Sequence, residues 1–444
     1  MGRGLPQPAT IEPSAPPEEF KACAGESRGP RYPGRVKGTT QPATQRSRRV
    51  LVGAIALLIL APLAVSSVLL LRSDEHGSPR AATASEVRAV LARCRNQLAE
   101  GETRACYEAA LKRLVEPAPD PRPVLQQIAD VAWASPGEFL LPNCHGLMHT
   151  VGREYATEHG VTLATLMDYL PGTNDPGCPA GFAHGVISGV APQLDPSQPK
   201  TAARICDGAQ TRYQRYSCVH GFGHAFMRLY NESLEPSLAL CTELGTASAP
   251  DCAQGVYHDY WFSVSGFDST RAATPDPITN PRRLCARQAD EFVRPCWYRA
   301  FLDTRPDGFE TQSATDMDGL CSGLVGVQRE ACITAASVIG PPDPREQLAN
   351  CAGFRGLDAV SCIHGAKVQN LLQEPLSTHV DVIRHCDVFT GATRLACYRW
   401  LGKTLAVLTN GDFRRTGCSQ LDPEADRACT AGARSMNDPL VTFS

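Results

Sequence analysis

The sequence predicts an all-α protein: an α-solenoid of disulfide-stapled helical hairpins behind a single N-terminal transmembrane helix. Three observations predict this class. One uncharged apolar run lies near the N-terminus, cysteines recur at a fixed spacing over the rest of the chain, and helix-like segments flank those cysteines. With 444 residues, 43% of them hydrophobic, the chain has enough apolar side chains for a large core.

The apolar run at residues 50–71 is expected to cross a lipid bilayer. It carries no charged residue, and at about 1.5 Å per residue it extends about 33 Å as a helix, which matches the hydrocarbon core. Arg46, Arg48 and Arg49 precede it, and few basic residues follow. This bias predicts a single-pass protein of the cell membrane with a cytoplasmic N-terminus. The alternative, a cleaved signal peptide, would have a shorter apolar run.

The charge and proline content divide the remaining chain into three parts. Residues 1–49 are basic and rich in proline, with few large apolar side chains, so we expect a disordered cytoplasmic tail. That tail is either a solvated tether or a Pro-rich docking segment. Residues 72–85 are expected to be a linker, and residues 86–440 an extracytoplasmic helical repeat domain. No basic footprint for nucleic acid is found in that domain.

The cysteines define the repeat. Of 19 cysteines, only Cys23 precedes the apolar run, and the others fall in the compartment where oxidising conditions are expected. Two pairs, Cys94/Cys106 and Cys206/Cys218, are separated by eleven residues. Six further pairs share the spacing C-x10-C: Cys241/Cys252, Cys285/Cys296, Cys321/Cys332, Cys351/Cys362, Cys386/Cys397 and Cys418/Cys429.

Each cysteine pair is predicted to close the turn of one hairpin. The second cysteines, with Cys144 and Cys178 added, recur with a mean step of about 36 residues, close to the period of TPR-like hairpins. Helical patterns precede the first cysteine and follow the second. A bridge over so short a loop stabilises the hairpin by about 2–3 kcal/mol in the chain-entropy model. Glycine often stands three residues after the second cysteine, which indicates close helix contact.

Cys144 and Cys178 depart from this pattern because neither has a partner in its own first helix. They either bond to each other or remain free thiols and candidate metal ligands. A mutual bond requires the starts of two neighbouring helices to approach within the short Cα separation of a disulfide.

Histidines are concentrated in a His-rich block at residues 144–264. Six of the 11 histidines fall on the second helices of four successive hairpins: His145, His149, His184, His220, His224 and His258. Two of the helices carry histidines four residues apart, which places both on one helix face. Imidazoles from adjacent hairpins can therefore converge. A His-rich set favours a transition metal such as Zn, Cu or Fe over Mg or Ca.

Neighbouring residues supply weaker candidates. Asp259 follows His258 and points about 100° away around the helix, so it is expected at most to hydrogen-bond a ligand. Aromatic residues at helical spacing more often form core than a site. The other polar and aromatic candidates of the block are Glu154, Tyr155, Tyr257, Tyr260 and Trp261. His364, outside the block, is expected to be a packing or surface residue.

Two functions are compatible with these patterns. The first is an extracytoplasmic metal-binding protein, with the enzyme question open. The second is a non-enzymatic scaffold of the cell envelope that binds a protein or peptide and whose histidines are structural. The sequence lacks C-x-x-C-H, H-E-x-x-H, G-x-S-x-G, P-loop and Rossmann motifs, which removes support from the common hydrolase and nucleotide-binding classes.

Overall fold

A computed structural model describes residues 83–438 of the chain. Gaps in that description fall at 96–99, 136–137, 172–174, 176, 266–277, 305–312, 342, 369, 371–375, 412 and 414–416. The predicted tail at 1–49, the apolar run at 50–71 and most of the linker at 72–85 lie outside the described residues. Within the described part, none of the helices combines the length and apolar character needed to cross a membrane.

The described residues form nineteen α-helices and no β-strand. In chain order the helices are α1 (Ala84–Ala92), α2 (Glu100–Val115), α3 (Arg122–Trp133), α4 (Leu140–Glu158), α5 (Leu166–Tyr169), α6 (Cys178–Gly189), α7 (Lys200–Cys206), α8 (Arg212–Leu229), α9 (Leu234–Glu243), α10 (Ala249–Ser265), α11 (Pro281–Cys285), α12 (Asp290–Thr304), α13 (Ala314–Leu320), α14 (Val327–Ile339), α15 (Pro344–Cys351), α16 (Gly356–His364), α17 (Leu376–Arg384), α18 (Gly391–Leu408) and α19 (Pro423–Arg434). The all-α prediction is therefore confirmed for this part of the chain.

The helices alternate between a first and a second helix of each hairpin. The odd-numbered helices α1 to α17 are first helices, and the even-numbered helices are second helices. In the last hairpin a 3-10 turn at Cys418–Gln420 takes the place of a first helix, and α19 is the second helix. Side-chain caps fix several helix starts, for example Thr211 at α8 and Ser313 at α13, whose hydroxyls accept backbone N–H groups of the first turn.

Nine disulfides join all eighteen described cysteines. Eight of them close a hairpin of their own, with Cα–Cα distances of 5.5–5.9 Å. This confirms the predicted pairing within each hairpin. The ninth joins Cys144 in α4 to Cys178 at the start of α6, with a Cα–Cα distance of 4.9 Å. The open question about these two cysteines is therefore answered by a bond between neighbouring second helices.

Second helices pack against one another in chain order, from α2 through α18 to α19. Late in the chain, α18 also contacts α8, and the Arg212 guanidinium donates to the carbonyl of Asp438 at 3.4 Å. Arg212 also forms a buried ion pair with Asp251 at 2.9 Å. The C-terminal hairpins thus contact the second helix of a hairpin near the middle of the chain.

Glycine allows the closest of these helix contacts. A Cβ atom at Gly181 of α6 would overlap the carbonyl oxygen of His145 in α4, and one at Gly255 of α10 would overlap that of His220 in α8. The predicted role of the recurring glycine is confirmed at both positions. Because the backbones touch there, the side chains next to the contact are brought close across the two helices.

Candidate metal centre

The six histidines of the block lie on four neighbouring second helices. His145 and His149 are on α4, His184 on α6, and the remaining three on α8 and α10: His220, His224 and His258. Since α4, α6, α8 and α10 pack side by side, histidines at equivalent positions of successive hairpins are neighbours. The structure brings all six rings into one group, called the histidine cluster below.

Ring-to-ring distances show how compact the histidine cluster is. The ring centroids of His149 and His224 lie 4.7 Å apart, as do those of His184 and His220. Among the pairs in contact, the largest separation is 6.0 Å, between His258 and both His145 and His220. Every ring contacts at least three others of the cluster.

The histidine cluster is almost completely removed from solvent. His220 and His224 are fully buried, and His149, His184 and His258 are at most 5% exposed. Only His145 is partly exposed. The Phe262 ring packs edge-on against His258, with centroids 4.3 Å apart. A site at this position is therefore enclosed, with His145 at its boundary.

Three groups of side chains have donor atoms close enough to hold one ion. They are His145/His149/His184, His184/His220/His224 and His149/His224/Asp259, and within each group the donor atoms lie within 4.8 Å of one another. No residue belongs to all three groups. His258 belongs to none, although its ring centroid is 5.2 Å from that of His224. The donors therefore surround more than one position.

Two hydrogen bonds orient rings of the histidine cluster. Nδ1–H of His224 donates to the Asp259 carboxylate at 2.5 Å, and both residues are buried. A carboxylate on one ring nitrogen fixes the tautomer and leaves the other nitrogen available to a metal. His184 Nε2 lies 3.0 Å from the Ser217 hydroxyl, which likewise leaves Nδ1 of His184 facing other partners.

Several buried ring nitrogens have no hydrogen-bond partner among the described residues. They are Nδ1 of His184 and both ring nitrogens of His220 and of His258. Buried polar atoms in folded proteins are nearly always hydrogen-bonded, and each one left unsatisfied costs about 1–3 kcal/mol. Three of the six rings thus present nitrogens that the described residues do not satisfy.

Electrostatics keep these three imidazoles neutral. Burial lowers the pKa values of His184, His220 and His258 well below the usual range, and the neighbouring histidines and Arg299 lower them further. Arg299 is itself buried and donates two 2.8 Å hydrogen bonds to Asp303. Neutral imidazole is the form that binds transition metals.

The structure also assigns the weaker candidates. Asp259 contacts His224 on the neighbouring helix, whereas the sequence only placed it beside His258. Of the others, Glu154 pairs with Lys112 at 2.9 Å, and Tyr155 donates to the carbonyl of Ala118. The hydroxyl groups of Tyr257 and Tyr260 bond Gln288 and the backbone of Ile278, and Trp261 is buried in the core. None of these polar groups is directed into the histidine cluster by these contacts.

Two residues that affect the histidine cluster, Ser217 and Arg299, were not predicted from the sequence. Ser217 immediately precedes Cys218, and Arg299 follows the second cysteine of a hairpin that carries none of the six histidines. An Arg–Asp pair four residues apart, as in Arg299 and Asp303, is common on helices, so no sequence signal separated it from a surface pair. Only its burial next to the histidine cluster gives it a role.

Fold and site together define an all-helical, disulfide-rich protein with a buried histidine cluster built from four consecutive hairpins. Comparisons with protein-family models, with curated proteins and with solved structures give no match to this chain.

Proposed function

We propose that this chain is a metal-binding protein whose histidine cluster holds Zn, Cu or Fe. One observation carries the proposal: six imidazoles from the second helices of four successive hairpins meet in a buried group with three sets of donors at ligating separation. Nitrogen donors with a single carboxylate favour these metals over Mg or Ca, which prefer oxygen ligands.

Energetics support a metal over purely structural histidines. The five unpartnered ring nitrogens of His184, His220 and His258 together imply a cost of about 5 kcal/mol or more if nothing satisfies them. A bound ion accepts the lone pair of one nitrogen on each of these neutral rings and so offsets part of that cost. Structural histidines would instead be hydrogen-bonded to neighbouring turns, as His184 is to Ser217.

The number of donors suggests more than one ion. The three donor groups share members in pairs but have no common residue, so one ion does not reach every donor. Two ions, one near His145 and His149 and the other near His220 and His224, use the set more fully. An ion with three protein ligands keeps an open coordination position, which is what catalysis at a metal requires. Storage or delivery of the metal requires no such position.

The location is part of the same proposal. We place the domain outside the cytoplasm as an α-solenoid anchored to the lipid bilayer by residues 50–71. Nine disulfides support an oxidising compartment, because such bonds are rare in reducing cytosol. The packing of second helices in chain order supports the solenoid arrangement.

Metal analysis of the full chain by inductively coupled plasma mass spectrometry tests the proposal. The informative variant replaces four ligands by alanine, His149, His184, His224 and His258. We expect one or two equivalents of Zn, Cu or Fe in the unmodified protein and none in this variant. The matched control replaces His159 and His385, which lie outside the histidine cluster, and should keep its metal.

Circular dichroism of each variant shows whether the fold is retained. Lack of metal in the unmodified chain, after growth with each of the three metals supplied, refutes the metal proposal and favours the envelope scaffold. Equal metal content in the folded quadruple variant would place the metal elsewhere in the chain.

A further inference from the structure

The histidine cluster is built from two copies of one arrangement. The histidine pair of α8, His220 and His224, follows that of α4 by 75 residues. His258 of α10 follows His184 of α6 by 74 residues, and the cysteines of these four helices repeat with the same offset of 74. A unit of two hairpins thus occurs twice: α4 and α6 belong to the first copy, and α8 and α10 to the second copy.

The helix contact inside each copy is repeated as well. An added Cβ atom at Gly181 of α6 would overlap the carbonyl oxygen of His145, and one at Gly255 of α10 would overlap that of His220. Between the copies, the Ile187 side chain of α6 lies against α8. The glycine contacts with a neighbouring backbone therefore fall inside each copy, and they hold the histidines of that copy side by side.

The first copy forms a three-nitrogen site. His145, His149 and His184 have donor atoms within 4.8 Å of one another. The three distances between their ring centroids are 4.9, 5.0 and 5.4 Å. An ion held by three imidazoles keeps an open coordination position for a further ligand.

The second copy supplies the equivalent three rings. The His258 ring centroid lies 5.2 Å from that of His224 and 6.0 Å from that of His220. The donor atoms of His220 and His224 are grouped with His184 and not with His258. Both ring nitrogens of His258 lack a hydrogen-bond partner among the described residues, so no hydrogen bond from these residues opposes rotation of its ring toward the pair. That rotation completes a second three-nitrogen site.

The charge of the histidine cluster favours monovalent ions. Imidazole binds metals in its neutral form, and the one carboxylate in the donor groups, Asp259, is hydrogen-bonded to His224. The buried guanidinium of Arg299 is paired with Asp303. Two divalent ions would bring four positive charges into a buried site with one carboxylate to offset them, which is costly. Two Cu(I) ions bring only two charges, and imidazole is a good ligand for copper.

The enclosure of the histidine cluster limits what two ions can bind. Among the six rings only His145 is partly exposed, so a large substrate does not reach the ions. Rings of the two copies are in direct contact, since the centroids of His149 and His224 are 4.7 Å apart. Two metals in one site are typically about 3.5–4 Å apart, which leaves room for a bridging ligand as small as a diatomic molecule.

We propose that the histidine cluster binds dioxygen between two Cu(I) ions, one held by each copy; this inference rests on the metal function proposed above. Each Cu(I) gives one electron to dioxygen, which becomes a bridging peroxide, while both ions become Cu(II). Two Cu–O bonds form, the O–O double bond becomes a single bond, and no proton is taken up. The net charge of the two ions and their ligand stays at plus two, so the step adds no charge to the buried site.

Anaerobic loading of the full chain with Cu(I), followed by exposure to dioxygen, tests this assignment. We expect two copper ions per chain and uptake of one dioxygen molecule for each pair. An intense near-ultraviolet charge-transfer band should appear and should vanish when dioxygen is removed under vacuum. Electron paramagnetic resonance should show no Cu(II) signal, because the two Cu(II) spins couple through the peroxide.

Variants of one copy at a time test the division into two sites. A first-copy variant replaces His145 and His149 by alanine, and a second-copy variant replaces His220 and His258. Each should keep about one copper ion, take up at least tenfold less dioxygen, and show a Cu(II) signal after oxidation in air. The matched control His159→Gln, outside the histidine cluster, should behave as the unmodified chain does. Circular dichroism shows whether each variant is folded.

The possible failures are distinguishable. Two bound copper ions without dioxygen uptake, or with the signal of two independent Cu(II) ions, would overturn the dioxygen assignment and leave the metal function intact. Unchanged dioxygen uptake in a folded one-copy variant would overturn the division into two sites. Absence of any metal from the unmodified chain would refute the metal function itself. The unmodified chain decides the dioxygen step even where a variant does not fold.

Discussion

Acidification should destabilise the metal-free protein between pH 7.5 and pH 5.5. The cause is burial of His184, His220 and His258, whose pKa values lie well below the usual range in the folded chain. Above about pH 6.5 these histidines are neutral in both folded and unfolded states, so stability does not change. Below that pH the unfolded chain takes up protons that the folded chain excludes, and the free energy of unfolding falls.

The magnitude follows from this difference in proton uptake. At pH 5.5, one unit below the unfolded pKa of about 6.5, each excluded proton costs about 1.4 kcal/mol, and three cost about 4 kcal/mol. Burial lowers the pKa of His364 to about 3, so the proton excluded from this ring adds a similar cost. Carboxylates contribute little in this window because they titrate mainly below it.

Urea unfolding of the metal-free chain, with disulfides intact and circular dichroism as the signal, measures the loss at each pH. The decisive comparison is His220→Gln, which removes one excluded proton. Between pH 7.5 and pH 5.5, the free energy of unfolding should fall by about 1.4 kcal/mol less in this variant than in the unmodified chain. Equal stability of the unmodified chain at the two pH values would show that the folded chain does not exclude protons from these histidines. Equal losses in both proteins would show that His220 is not one of the histidines that exclude a proton.

Three further outcomes are expected. Asp259→Asn should weaken metal binding about 10–100-fold, because it removes the acceptor that orients His224. Competition with a chromophoric chelator measures the affinity, and an unchanged value would show that Asp259 does not orient His224 for metal binding. Gly181→Val should lower the free energy of unfolding, measured with urea, by about 1–3 kcal/mol or more, because the added side chain overlaps the α4 backbone. Gly319→Ala serves as the control, because nothing lies within 4 Å of its added Cβ. Replacing Cys144 and Cys178 by serine should cost about 4 kcal/mol for a loop of this length, and a folded variant of unchanged thermal stability would contradict that expectation.

The sequence alone was sufficient for the local part of the fold. Cysteines separated by ten or eleven residues can bond within one hairpin because so short a loop brings their Cα atoms together, and all eight such bonds are found. The helical periodicity depends on neighbours a few residues away in the same way. The recurring glycine indicated a close helix contact, but the partner of that contact lies on the neighbouring second helix. The prediction at residues 50–71 is equally local, and it stays a prediction.

The six histidines were identified from their confinement to four successive hairpins, since repeat packing alone would not respect that boundary. Their convergence needed the tertiary structure, because adjacent hairpins determine which helix faces meet. The same holds for the bond between Cys144 and Cys178, which depends on how closely α4 and α6 approach.

Only the tertiary structure shows which side chains distant in sequence contact or affect one another. Asp259 bonds His224 on the neighbouring second helix. Arg299 acts on the histidine cluster through its charge, from a hairpin that carries none of the six histidines, and Trp400 meets His364 beside a cavity. The sequence determines what each helix carries, since helix periodicity and disulfide loops are local. Packing between helices decides which side chains share a site, because contacts, burial and charge act across space and not along the chain.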